Sequence, residues 1–151
     1  MSEAVQVTVT LSSLWHIDPP KVKIFLDEIE IDSADIVNQR DDGQHHLFSL
    51  NTKLDEGNHK IKIVYYNKTF SDTVLDGNGN IVKDQLLHVE DISIDEVELG
   101  YLVYKNCKFY PDREIRPDLP EVINNLTSIG YNGVWELEFT VPTYIWLLEH
   151  F

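Results

Sequence analysis

Cysteine is almost missing from this chain: Cys107 stands alone among 151 residues. One thiol excludes an internal disulfide and supplies no zinc motif, and Cys107 reads as a small, half-buried apolar residue. Positive charge is scarce as well. Twelve Lys and Arg stand against 26 Asp and Glu, a formal net charge of -14, and the bases form no cluster, which argues against a nucleic-acid partner. No apolar run reaches the roughly 18 residues of a membrane span, so no membrane insertion is expected. The opening Met1-Ser2-Glu3-Ala4-Val5 lacks the basic and apolar regions of a secretory signal, so the chain is expected to be made and folded in a cytoplasm. Gly-rich phosphate loops and nucleophile elbows are missing too. The histidines do not assemble: His45 and His46 face opposite sides of a predicted strand, and His16, His59, His88 and His150 are scattered without zinc spacing.

What the chain has is alternation. Val5, Val7, Val9 and Leu11 share one face of a first strand, and Lys21 to Leu26 forms a second. Further strands are predicted over His45–Leu50, His59–Tyr66, Leu86–Ile94, Tyr101–Tyr104 and Val134–Thr140. Two stretches echo each other, Leu26-Asp27-Glu28-Ile29-Glu30-Ile31 and Ile94-Asp95-Glu96-Val97-Glu98-Leu99. The apolar parity flips across each Asp-Glu pair, as a tight turn or bulge requires, and the two are read as similar hairpin corners. Asp118 is placed to cap a short helix carrying Val122, Ile123, Leu126 and Ile129, with Gly130 ending it. Short strands between turn signals, with at most one or two short helices near the C-terminus, predict an all-β, antiparallel β-sandwich of jelly-roll type. The expected organisation is one domain over residues 1–151, with residues 1–99 as its core and 100–151 as an extension that completes the sandwich or docks on a neighbour.

Oxygen donors crowd between the strands at 59–66 and 86–94: Asn67, Asp72, Asp76, Asn78, Asn80 and Asp84, with Asp91 on the returning strand. Calcium takes about six to eight such oxygens, flexibly held. Asp76, Asn78 and Asn80 alternate like the first ligands of a helix–loop–helix calcium loop. Ile81, however, stands where that motif has Gly, and Leu87 where it has a bidentate Glu, so that motif is rejected. Two readings stand side by side. One is a calcium site drawing on Asn67, Asp76, Asn78, Asn80, Asp84 and Asp91; the other takes Asp76-Gly77 and Asn78-Gly79 as turn residues chosen for positive φ.

The opening alternating strand, the segment "VYYN", the polar loop and "KDQLLHVEDISID" resemble the calcium-dependent xylan-binding type of carbohydrate-binding module. The similarity covers roughly residues 5–99. It implies a small β-sandwich whose loop calcium is completed by vicinal sugar hydroxyls. The pattern has Asn-Asp after the strand, and here the pair is Asn67-Lys68, so one implied ligand is replaced. The Asp that opens the returning strand matches Asp84, followed by Gln85-Leu86 instead of Arg-Asn, and the corner Gly matches Glu96. The final third, "NLTSIGYNGVWELEFTVPTYIWLLEHF", resembles the ending of small structural proteins of tailed, T4-like marine bacteriophages. That likeness implies a place in a virion, with other virion proteins or copies of the chain itself as partners, and surface carbohydrate as a further one.

Aromatic rings sharpen the sugar reading. Tyr65 shares the face of Ile61 and Ile63 and is a core residue, which leaves Tyr66 and Phe70 as sugar-stacking candidates. Trp15, Trp135 and Trp146 sit in apolar neighbourhoods as core anchors. The apolar tail is expected to be buried on this domain or on a neighbour, with Tyr144, Trp146, Leu148 and Phe151 as interface candidates. Glu28/Glu30 and Glu136/Glu138 read as solvated strand edges, and Ser12-Ser13 has no evident base. No catalytic constellation emerges, so the expectation is a non-enzymatic virion protein, or alternatively a calcium-dependent module engaging host glycans.

Overall fold

Alternating apolar side chains make one-faced strands, and one-faced strands must cover each other in pairs of sheets. The computed structural model describes all 151 residues. In chain order its strands are β1 (Ser2–Leu14), β2 (Lys21–Leu26), β3 (Ile29–Asp35), β4 (His46–Asp55), β5 (Gly57–Tyr65), β6 (Val74–Leu75) and β7 (Ile81–Lys83). They continue as β8 (Leu86–Ile94), β9 (Val97–Glu98), helix α1 (Tyr101–Asn106), β10 (Lys108–Pro111), β11 (Ile123–Asn124), β12 (Ser128–Ile129), β13 (Gly133–Val141) and helix α2 (Thr143–His150). One sheet runs β12-β8-β1-β4 with β9 added on β8; the other runs β11-β10-β13-β5-β2-β3, and β6 and β7 form a separate small hairpin. All the strand pairs are antiparallel. The predicted antiparallel sandwich is the fold. Neither helix is long and apolar enough to cross a membrane.

The inner faces come from the alternation. Val5, Val7, Val9 and Leu11 of β1 and Leu87, Val89, Ile92 and Ile94 of β8 form one wall. Val22, Ile24, Ile61, Ile63, Tyr65, Trp135, Leu137 and Phe139 form the other. The buried apolar side chains make one cluster of 27 residues that reaches from Val5 to Trp146, so residues 100–151 share the core of residues 1–99. On β8 the inward parity switches between Val89 and Ile92, because the register against β1 shifts there and Glu90 is bulged out. Burial would raise the Glu90 carboxyl, but Arg40 and Ser12 bond it and hold it below the usual carboxylate range. Gly133 opens β13 at φ 156, and a Cβ there would lie 2.3 Å from the Tyr110 carbonyl oxygen. Only glycine lets β10 and β13 close at that point.

Two sequence expectations are corrected. Tyr101–Tyr104 is helical, the start of α1, with Leu102 and Val103 buried and Tyr101 and Tyr104 on the exposed side, ring centroids 5.7 Å apart. A short apolar run does not distinguish a strand from a buried helical turn. The helix expected after Asp118 is instead a bent segment with the short strands β11 and β12. Asp118 pairs with Arg116 at 2.7 Å instead of capping a helix, and Asn125 has φ 60, which breaks any helical run through the middle. Ile123 pairs across from Phe109 and Ile129 is buried, so the apolar spacing served two strand pairs and not one helix face.

Five lysines gather on the outer face of the second sheet: Lys21, Lys23, Lys60, Lys62 and Lys108. They do not make a basic surface. Lys62 and Lys108 flank Glu136 in register, Lys60 faces Glu138, and Lys62 also bonds Glu28 at 2.7 Å.

Candidate functional site

The polar loop between β5 and β8 does not hang free. Thr69 and Asp72 cap each other across a single 3₁₀ turn at Phe70–Asp72, with the Thr69 N–H donating to Asp72 Oδ2 at 2.8 Å. His16 Nε2 donates to the Asp72 carbonyl at 2.8 Å. This turn presents Phe70 outward, 80 % exposed. The loop then folds into the β6–β7 hairpin, and Asp76 closes its tip by accepting from the Asn78 and Asn80 N–H groups at 2.8 and 3.0 Å. Those bonds, Asn80 first and Asn78 next, hold the Asp76 carboxyl below its usual range. Of the tip residues only Gly79 takes the left-handed conformation, at φ 84.

Between this loop and the segment 115–132 lies a cleft of about 460 Å³. Phe70 and Ile81 line one side, and Ile115, Arg116, Leu126 and Tyr131 the other. Lys68, Thr73, Asp84, Ser128 and Asn132 supply its polar lining. Lys68 Nζ meets Asp84 Oδ1 at 2.8 Å, and both side chains are only 12 % exposed. The same oxygen accepts from the Thr73 hydroxyl at 2.8 Å and from the Gln85 N–H at 2.9 Å. Asn132 fixes the Lys68 backbone from both sides, accepting its N–H and donating to its carbonyl, each at 2.8 Å. Beneath the ion pair the Tyr65 hydroxyl donates to the Gln85 side-chain oxygen, and burial, with Asp72 and Asp84 nearby, pushes its pKa far above the ordinary phenol value. Across the cleft the Arg116 guanidinium lies 5.3 Å from the Tyr131 ring centroid and is held by Asp118.

The residues singled out in the sequence scatter across this architecture. Asp84 and Phe70 line the cleft. Asn67 is spent on structure, its oxygen accepting the Lys21 N–H at 2.8 Å and its amide donating to the Pro19 carbonyl at 2.9 Å. Asp76, Asn78 and Asn80 form the exposed hairpin tip. Asp91 sits some five residues up β8 from its start, roughly 16 Å at the rise of a strand, where it accepts from the Ile92 and Gly100 N–H groups. Tyr66 lies away from the cleft, on the outer face of the second sheet, with Lys23 Nζ 5.7 Å from its ring centroid. Among the interface candidates Trp146 is 4 % exposed and belongs to the core, while Tyr144, Leu148 and Phe151 face outward. The helical period decides this: α2 turns one side, with Trp146, onto the core and the other to the surface.

These placements spread the six candidate calcium ligands over the cleft, the hairpin tip, the β5 exit and β8. No three His, Cys, Asp or Glu side chains converge as metal ligands, and the carboxylate best placed to take part, Asp84, has one oxygen already loaded with three donors, one of them an ammonium. Sequence reasoning missed Tyr131, Arg116 and Asn132. Tyr131-Asn132-Gly133 carried only a turn signal, and nothing in the spacing linked Arg116 to a ring fifteen positions later.

Two solved structures match this architecture. One is vCBM60 in complex with galactobiose, with a TM-score of 0.53 and 9 % identity, over 87 % of this chain and 96 % of that one. The other is the selenomethionine form of vCBM60, from work describing circular permutation as a link between two families of calcium-dependent carbohydrate-binding modules. Its TM-score is 0.57 at 10 % identity, over 88 % of this chain and 89 % of that one. The fold is that of a carbohydrate-binding module. No protein-family model and no curated protein matches the chain. The cleft has one lining carboxylate, Asp84, where glycoside hydrolysis uses two, and no His or Cys. What it offers is rings, an ion pair and hydroxyls, the groups that hold a ligand.

Proposed function

We propose that the chain is a non-enzymatic structural and interaction protein of a tailed-bacteriophage particle, built on a carbohydrate-binding-module sandwich. The observation that carries the reading is the outer side of α2. Tyr144, Ile145, Leu148 and Phe151 recur there at helical spacing and are 40–78 % exposed, while Trp146 anchors the helix inward. An apolar stripe on the closing helix is suited to packing against another virion protein or a second copy. The resemblance of the final third to small virion proteins supports the same reading. Peptide mass spectrometry of purified particles tests it: the chain is expected among the particle proteins, and its absence overturns the reading.

The cleft favours a second, compatible reading, a module engaging surface carbohydrate. Sugars present apolar C–H faces to rings and hydroxyls to charged pairs, and Phe70, Tyr131, Arg116, Lys68 and Asp84 offer both. Binding to a panel of neutral oligosaccharides, galactobiose and xylo-oligosaccharides among them, is the test. Phe70→Ala is expected to weaken binding about tenfold, the worth of one stacked ring. An array on which nothing is retained overturns this reading.

A further inference from the structure

We propose that the cleft binds neutral carbohydrate without calcium, the Lys68 ammonium on Asp84 taking the place of a metal ion. The inference rests on the glycan reading above and deepens it.

Three observations carry it. The first is charge. Lys68 follows Asn67 directly, and its ammonium sits 2.8 Å from the one carboxylate that lines the cleft, with both groups mostly buried. A divalent ion entering there meets a fixed positive charge in a region of low dielectric and has to displace it from its partner. The second is saturation. Asp84 Oδ1 takes the ammonium, the Thr73 hydroxyl and the Gln85 N–H together, more than the two lone pairs of one oxygen share comfortably.

The third is that the cation is built in. Asn132 clamps the Lys68 backbone on both sides. Gly130 lines the cleft beside the ammonium, where a Cβ would stand in ordinary contact with Nζ at 3.4 Å and tight against Leu86 Cδ2 at 3.2 Å. An ammonium carries three donors, and Asp84 takes one. A vicinal diol can therefore accept from the ammonium and donate to the other carboxylate oxygen, Asp84 Oδ2, as it would between a metal and its ligands. Both cations of the lining are already paired, Lys68 with Asp84 and Arg116 with Asp118. The site carries no surplus positive charge to hold a uronate or sulfate, which is why the ligand class is neutral.

Thermal unfolding of the full chain in excess chelator and in millimolar calcium is the first arm. The wild type is expected to melt at the same temperature in both. Lys68→Asp, which removes the ammonium and adds a carboxylate beside Asp84, is expected to melt lower in chelator and to rise by several degrees in calcium. A calcium-dependent rise in the wild type overturns the inference, and so does a Lys68→Asp protein indifferent to calcium. The second arm repeats the oligosaccharide panel in both buffers. Equal binding with and without calcium, weakened about tenfold or more in Lys68→Ala, is the expected result, one tenfold step being about 1.4 kcal/mol. Binding that needs calcium overturns the inference alone, whereas no binding in either buffer brings down the glycan reading beneath it. Retention of a neighbouring virion protein in the cleft, competing with no sugar, counts against both.

Discussion

The corners at Asp27-Glu28 and Asp95-Glu96 sit on different sheets, yet they treat the adjoining strand alike. Each Asp has a left-handed backbone, φ 56 at Asp27 and φ 53 at Asp95. The Asp27 N–H donates to the Lys60 carbonyl at 2.7 Å, and Asp27 Oδ1 accepts the Lys60 N–H at 2.9 Å. The Asp95 N–H donates to the Gln6 carbonyl at 2.8 Å, and Asp95 Oδ1 accepts the Gln6 N–H at 2.9 Å. One carboxylate thereby extends a strand ladder by a residue past the point where the hairpin turns away.

The second oxygen separates them. Asp27 Oδ2 meets His59 Nδ1 at 2.9 Å, whereas Asp95 Oδ2 accepts from the Thr143 hydroxyl at 2.7 Å. Thr143 opens α2, and Glu3 of β1 accepts its backbone N–H at 3.0 Å. The same local device thus serves a titratable side chain on one sheet and ties down the C-terminal helix on the other.

The largest expected difference lies in truncation. Asp95→Ala frees a solvent-exposed Gln6 N–H and leaves the Thr143 hydroxyl its second acceptor, Glu3 at 2.9 Å, and should cost about 1–2 kcal/mol. Asp27→Ala strips the acceptor from two half-buried groups, the Lys60 N–H and the His59 Nδ1, and should cost about 2–3 kcal/mol. Urea denaturation of the two variants checks the order, and an Asp95→Ala that is the more damaging breaks the comparison.

Glycine substitution comes next. Glu96 is left-handed at φ 68 and Glu28 is not. Glu96→Gly should therefore stabilise by about 0.5–1 kcal/mol, while Glu28→Gly should destabilise by a few tenths. Opposite signs in the same assay sharpen the distinction, and equal signs erase it.

The pH dependence is the smallest effect. Burial by itself would lower the His59 pKa, but Asp27 and the Asp55 carbonyl, facing its two ring nitrogens, outweigh burial and raise it above the ordinary value. Its stabilisation is complete below the unfolded value near roughly 6.5 and is lost as pH rises through the folded one. His88 acts in the opposite sense: burial, then Arg40, lower its pKa, so its contribution is present above roughly 6.5 and is lost as pH falls. The slope that belongs to the corner is the difference between wild type and Asp27→Ala. Denaturation at a series of pH values should show the variant losing less stability above neutrality, and parallel profiles would remove His59 from the Asp27 corner.

Both corners were legible in advance because their signal is local. A parity flip along a strand marks a turn or a bulge whatever lies across from it. The strand at Leu86–Ile94 was legible for the same reason, whereas α1 was not, since four apolar residues fit a strand or a helical turn equally well. Of the candidate site, Phe70 and Asp84 were visible as a ring and a carboxylate beside the loop. Asn67, Asp76 and Asp91 carry the same side-chain chemistry as ligands, and the backbone groups that occupy them, those of Asn78 and Asn80 in the case of Asp76, have no sequence signature.

Sequence alone determined the two layers and their inward faces, because a strand's side chains alternate with a period of two whatever lies across from them. It also determined the acidic surface and the positions of the tight corners. Only the tertiary structure decided that Lys68 sits on Asp84, that Tyr131 and Arg116 face Phe70 across a cleft, and that Trp146 points inward while Leu148 does not. Those outcomes depend on where loops far apart in the chain arrive in space, set by sheet pairing and shared burial rather than by the order of neighbouring residues.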